Sequence, residues 1–177
     1  IHSLYSNKDI FVREIVSNAS DALDKLKYLT VSDENYKAVS FEPRIDILFD
    51  EKAKTLTIQD SGIGMNAEDL DNNLGTIARS GTKAFLEKLE TEAKKDSSLI
   101  GQFGVGFYSA FMAAKKIEVI TRKAAEKTLY KWSSEGTSSY DVDELALDSA
   151  EAKKYGFDDE AKHGSAIAMF LNDDDTE

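Results

Sequence analysis

Cysteine is absent from this chain, so neither a disulfide framework nor a thiolate nucleophile or metal site is available, and a reducing compartment suits it. A single proline, Pro43, leaves no proline-rich linker to divide the 177 residues, a length that suits one domain with its own core. His2 and His163, the only two histidines, are too few and too isolated in sequence for a metal cluster or a catalytic triad. Basic residues are scarce beside acidic ones: 22 Lys and Arg against 33 Asp and Glu, a formal net charge of -11. Such a surface repels a phosphate backbone and disfavours nucleic acid as a partner. No apolar run is long enough to span a bilayer, and no signal peptide is visible. The opening Ile-His and the closing Asp-Asp-Asp-Thr-Glu read as the ends of a piece of something longer.

What is present is regular patterning. Residues 10–28 carry the strongest helical period, with Asp9 as the expected N-cap. Residues 44–50 and 55–60 alternate around a polar turn and predict a hairpin. A glycine-punctuated region from Gly62 to Gly106 follows, with helical patches near 67–74 and 83–95, and 107–114 also reads as helix. Strands are expected at 116–122, 128–134, about 137–142 and 165–171, with an acidic helix and loop over 144–163. That order is α+β: a mostly antiparallel sheet covered by helices on one face. Trp132 falls in the strand pattern as a core residue, and Met65 and Met112 are core candidates.

The long helix has a polar border. Asn18, Asp21 and Lys25 fall within about 40° of Glu14 on a helical wheel. Val12, Ile15, Val16, Ala19, Ala22, Leu23 and Leu26 occupy a separate apolar arc. Groups on such a border can line a cleft. A carboxylate such as Glu14 can orient or deprotonate water, and the amide oxygen of Asn18 is a neutral hard ligand for magnesium. The same pattern also describes a solvated helix edge with an Asp21–Lys25 pair.

Two glycine segments bear on anion and base recognition. Asp60-Ser61-Gly62-Ile63-Gly64-Met65 ends the second hairpin strand; it is either a plain turn or a carboxylate aimed at an exocyclic amine, with the backbone close around the ligand. Met65 directly follows that turn and is also placed to touch a base. Gly101-Gln102-Phe103-Gly104-Val105-Gly106, running into Phe107, suggests a loop opening a helix, whose backbone N–H groups bind phosphate without basic side chains. It is not the dinucleotide fingerprint, and no Gly-Lys-Ser/Thr is present. Between them, Gly75 and Gly81 bracket a segment with the composition of either a lid or an ordinary helix–loop–helix connection.

Together these segments resemble one family. Phe11 through Lys25, Asp60 through Met65, Leu74 through Thr82 and Ile100 through Ala110 are similar, in order and over nearly the whole chain, to the motifs of the ninety-kilodalton heat-shock chaperones, above all their bacterial branch. The resemblance implies a two-layer α/β sandwich of the Bergerat ATP-binding type over residues 1–177, truncated at both ends, with a lid over about 66–106. It implies ATP or ADP with Mg2+ as ligands, Glu14 as the base for the attacking water and Asn18 as the magnesium ligand. It implies Asp60 on the adenine amine, Gly64 and Ser165 near the same edge through water, and Met65, Leu74 and Phe107 around the nucleoside. Asn73 would lie near the sugar, Asp21 on the same helix edge, Gly101 through Gly106 at the phosphates, and Arg79, Ser80 and Gly81 in the lid near Lys25.

Ser165 stands where the family usually has threonine, and Arg79 where lysine is frequent; hydroxyl and charge are kept. The family's first β-strand, exchanged between protomers, and the phosphate-contacting arginine of its middle domain have no counterpart in this chain. The resemblance therefore implies an ATPase module of a cytoplasmic, or alternatively organellar, folding chaperone. It would be monomeric and weakly active alone, and in its parent protein homodimeric and able to act on unfolded clients. A nucleotide switch that scarcely hydrolyses, and a passive partner-binding domain, are the rival readings.

Overall fold

The computed structural model describes residues 2–39, 41–75, 114–135, 140–159 and 161–171. Its six strands are β1 (Ile45–Asp50), β2 (Thr55–Asp60), β3 (Ala114–Arg122), β4 (Leu129–Ser134), β5 (Asp141–Leu145) and β6 (Gly164–Leu171). They form one sheet in the order β1-β2-β6-β3-β4-β5, with every neighbouring pair antiparallel. The predicted hairpin is β1–β2. The last strand in sequence, β6, inserts between β2 and β3 and becomes central.

Register makes the core. Ile47, Ile58, Ile167, Val119, Trp132 and Val142 stand opposite one another in a single row across all six strands. Cross-strand apolar neighbours of this kind are the unit by which a sheet is stabilised. Ile58, Val119 and Trp132 are fully buried, whereas Ile47, on the edge strand, is 54% exposed. Trp132 is thus a core residue, as its strand pattern predicts, and it stacks on Tyr140 at 5.9 Å.

Over this face lies α1 (His2–Ser32). Ile15, Ala19, Leu23 and Leu26 are buried and Val12, Val16 and Ala22 half-buried, while Arg13, Ser17, Ser20, Asp24 and Lys27 are exposed, the arcs that the helical period predicts. Each fully buried Leu or Ile contributes roughly 1.5–3 kcal/mol, so this one face fastens the helix to the sheet. The helix is longer than its apolar period. Asp9 lies inside it and does not cap it, because no proline or glycine interrupts residues 2–9.

The opposite sheet face is covered in part by α3 (Ala150–Lys154), capped by Ser149, and by the turn after it. Ile120, Leu129 and Ala166 pack there against Ala152, Tyr155 and Phe157. Buried Arg122 holds this turn by donating to the carbonyls of Phe157, Asp159 and Lys162, each at 2.9 Å. Helix over antiparallel sheet is the expected layering; the Arg122-clamped turn adds a partial cover on the second face.

The segment after β2 forms α2 (Ala67–Leu70), closed at its start by an Asn66–Asp69 capping box, then a π-helical turn over Asp71–Gly75. Lys123 pairs with Asp69 at 3.0 Å, and Tyr140 donates to Asp71, so this segment is tied back to the sheet. The predicted helical patch at 83–95 lies outside the described residues, as does 107–113, and Ala114 opens β3 where helix was expected. The strand expected at about 137–142 is shifted: residues 136–139 are outside the description and β5 runs from Asp141 to Leu145.

Gly164, where β6 begins, has φ +116, and a Cβ there would lie 2.1 Å from the Asp60 carbonyl oxygen. A side chain at this position would push β6 away from β2 at their paired ends. Gly164→Ala is expected to cost more than about 2 kcal/mol of stability in urea unfolding, beyond the usual cost of a positive-φ glycine. An unchanged unfolding midpoint would contradict this packing.

Candidate functional site

Two residues along from the core row, on the same sheet face, Asp60, Ser165 and Thr121 stand opposite one another on β2, β6 and β3. Strand alternation puts all three on the α1 side, since Ile58, Ile167 and Val119 point there. All three are buried, Asp60 at 5% exposure, Ser165 at 6% and Thr121 at 0%. Three polar side chains therefore close the sheet's end where apolar residues fill its middle.

The turn after Asp60 folds back over this row. Gly62 N–H donates to Asp60 Oδ1 at 2.8 Å. Ile63 N–H donates to the Ala22 carbonyl of α1 at 3.2 Å, and Ala124 N–H donates to the Ile63 carbonyl at 2.7 Å. Gly64 has φ +72, and a Cβ there would sit 1.9 Å from the Arg122 carbonyl oxygen, so only glycine allows this approach. Met65 N–H then donates to Thr121 Oγ1 at 2.9 Å. The turn is thus pinned between α1 on one side and β3 on the other.

Burial acts on the Asp60 carboxyl. Desolvation raises its pKa from 3.8 to about 6, against the backbone N–H groups of Gly62 and Ser165 and the charge of His163, which favour the ionised form. A shift of this size corresponds to about 3 kcal/mol against ionised Asp60 in the fold. His163 is itself buried, and its Nδ1 donates to the Gly62 carbonyl at 2.7 Å; that carbonyl can only accept, so the proton is on Nδ1.

On α1, Asn18 is half-buried one helical turn before Ala22, the residue that receives the Asp60 turn. Positions four apart share a helix face, which brings Asn18 to the same side as Asp60. Glu14 lies one turn earlier still in α1, its side chain outside the described residues. Asp21 and Lys25, expected on the same stripe, are both exposed. Met65 is half-buried against the main core, and Leu74 is buried within it beside Ile15, Ile58 and Leu70. Asn73 belongs to the Asp71–Gly75 turn, its side chain outside the description. Arg79, Ser80, Gly81 and the whole of Gly101 through Phe107 lie outside the described residues.

Three residues at this end of the sheet had no assigned role on sequence grounds. Thr121 follows two residues after Val119 in a predicted strand, so alternation alone puts it on the same face; what it meets there depends on β6 lying next to β3. Isolation in the sequence counted against His163, yet the fold brings it to Gly62 across 101 positions of chain. Arg122 carried no signal of burial, which for an arginine needs the partners that only the 157–162 turn supplies.

Among the described residues no group of three or more His, Asp or Glu is placed to hold a metal ion, and no helix is long and apolar enough to cross a membrane. Residues 5–164 match the family described as Histidine kinase-, DNA gyrase B-, and HSP90-like ATPase. The chain is 61% identical over 180 residues to the Chaperone protein HtpG of Treponema denticola, covering 100% of this chain and 27% of that protein. It is 59% identical to the protein of the same name from Sulfurimonas denitrificans, over 100% of this chain and 26% of the relative. Against the one from Campylobacter jejuni the identity is 55%, over 99% and 26%. The chain thus spans about a quarter of the length of these curated relatives. A helix over an antiparallel sheet, with a carboxylate turn gripped between them, is the frame in which these likenesses fall, and the chain belongs to the histidine kinase-, DNA gyrase B- and HSP90-like ATPase family.

Proposed function

We propose that this chain is the nucleotide-binding module of a molecular chaperone, with adenine recognised at the end of the sheet by Asp60. One observation carries the reading: a carboxyl is kept at 5% exposure although burial raises its pKa to about 6. Folding gains nothing from that penalty. A ligand amine that donates to the carboxylate offsets it, and buried groups held at such a cost mark binding sites.

In this reading the exocyclic amine of adenine donates to Asp60, with Ser165 and Gly64 near the same edge through water and Met65 beside the base. Asn18, half-buried one turn from the Asp60 contact, would supply an amide oxygen to Mg2+. Magnesium prefers oxygen ligands and keeps several waters, so a single amide together with nucleotide phosphates is a fitting donor set. Bound there, the ion would offset phosphate charge on a chain whose own net charge is -11. Glu14, one turn along α1, would take the proton of the water that attacks the terminal phosphorus, giving ADP and inorganic phosphate.

The roles of Gly101 through Gly106 at the phosphates, of Phe107 at the nucleoside, of Asn73 at the sugar and of a lid over about 66–106 rest on the family likeness, as does slow turnover by this chain alone. So do the cytoplasmic setting, the homodimer and the unfolded client proteins of the parent chaperone. Relatives named chaperone over a matched quarter of their length support that wider role.

Asp60→Asn removes the charged acceptor and is expected to weaken ADP binding ten- to a hundredfold, about 1.5–3 kcal/mol, in titration calorimetry. Unchanged affinity would refute the adenine assignment.

The same substitution has a stability signature whose sign is set by the raised pKa. The neutral carboxyl's contribution is fully present below 3.8 and is lost as pH rises through about 6. Nucleotide-free Asp60→Asn should therefore melt about 5 °C higher than the unaltered chain at pH 8, a gap that closes as pH falls toward 4. Parallel melting profiles across that range would contradict the burial penalty.

Glu14→Ala in the full-length protein should abolish hydrolysis and leave nucleotide affinity within about twofold. Loss of both together would make Glu14 a structural residue.

A further inference from the structure

Thr121 does a second job. Its hydroxyl is fully buried and has three partners: the Gly164 carbonyl at 2.9 Å, Met65 N–H at 2.9 Å and Ser165 Oγ at 2.8 Å. A hydroxyl has one hydrogen to give and two lone pairs to offer. The Gly164 carbonyl can only accept, so it takes the Thr121 hydrogen. Met65 N–H can only donate, so it takes one lone pair. With its hydrogen used, Thr121 can only accept from Ser165. Ser165 must therefore turn its own hydrogen toward Thr121.

That fixes the polarity of Ser165. Its hydrogen is directed along the row toward β3, and only lone pairs are left for anything else that approaches. Across the row on the other side stands Asp60, which when ionised also only accepts. Two neighbouring strands then present acceptors alone.

We propose that Thr121 is a specificity-determining residue of the nucleotide site, acting through Ser165: by consuming the Ser165 hydrogen it makes this end of the sheet acceptor-only. Such a row accepts a purine that donates there, the 6-amino group of adenine, and rejects a 6-oxo purine. A carbonyl placed against it leaves buried acceptors facing one another unpaired, the arrangement that gives the strongest discrimination between close analogues. A water bridging Ser165 to the base would carry the same polarity, because it must give one of its hydrogens to Ser165. The inference rests on the adenine reading above and adds a residue that does not itself touch the base.

Calorimetry of the unaltered chain, Thr121→Val and Thr121→Ser with ADP and with inosine diphosphate tests it. Thr121→Val frees the Ser165 hydrogen to turn toward the base, and the ADP preference is expected to fall at least tenfold. Thr121→Ser keeps a hydroxyl on the same strand position and should keep the preference within twofold. A residue that only held the fold would weaken both nucleotides equally, so an unchanged ratio in Thr121→Val overturns the proposal. Asp60→Asn measured alongside separates the two layers. If it leaves ADP binding intact, or the unaltered chain shows no preference, the adenine reading falls. If it weakens ADP while Thr121→Val keeps the ratio, only the role of Thr121 falls. Should Thr121→Val fail to fold, neutron diffraction on the unaltered chain decides: deuterium on Ser165 Oγ is expected along the line to Thr121 Oγ1, and a deuterium directed elsewhere overturns the proposal.

Discussion

Burial of the Asp60 carboxyl is the constraint that the rest of this end of the molecule accommodates. A group whose charged form costs about 3 kcal/mol at neutral pH destabilises a fold whose whole margin is of order 10 kcal/mol. The chain surrounds it with donors that limit the cost: Gly62 and Ser165 N–H on the carboxyl, and a buried histidine close enough for its charge to act. None of these removes the penalty, since the pKa stays near 6. What is left over is available to a ligand that brings its own hydrogen.

The scaffold around Asp60 is built to leave little room for relaxation. Gly64 lets the turn pass close to the Arg122 backbone, and Gly164 lets β6 begin against the Asp60 carbonyl. Arg122, at the end of β3, uses its guanidinium on the far face of the sheet to hold the turn that leads into His163 and Gly164. A single strand end therefore fastens both faces. On the near face its neighbour Thr121 joins Met65, Gly164 and Ser165 through one oxygen. Preorganisation of this kind is what lets a few hydrogen bonds discriminate, because groups already fixed need no further ordering when a ligand arrives.

Much of this was legible from patterning alone. Alternation over 44–50, 55–60 and 165–171 located β1, β2 and β6, and the helical period separated the buried residues of α1 from Arg13, Ser17, Ser20, Asp24 and Lys27. Asp60 stood out because a carboxylate before two close glycines is chemically conspicuous. The order of strands was not legible. Nothing local places β6 between β2 and β3, so the Asp60–Ser165–Thr121 row, which spans more than a hundred residues of sequence, emerges only from long-range pairing. His163 was missed for the same reason, its partner Gly62 being remote in sequence. Helix length failed differently: the apolar period ends before the helix does, because residues 2–9 have no breaker even though they lack a buried stripe. The glycine loop at 101–106, the most specific part of the family likeness, falls outside the described residues and adds nothing to the geometry.

The most direct measurement is a crystal structure of this chain with ADP. The adenine amino nitrogen should lie about 3 Å from a carboxylate oxygen of Asp60, as a hydrogen bond requires, with the turn from Gly62 to Met65 beside the ring. Adenine bound elsewhere on the sheet, or seated at this end with its amino group turned away from Asp60, would contradict the assignment of that buried carboxyl as the group that reads the base.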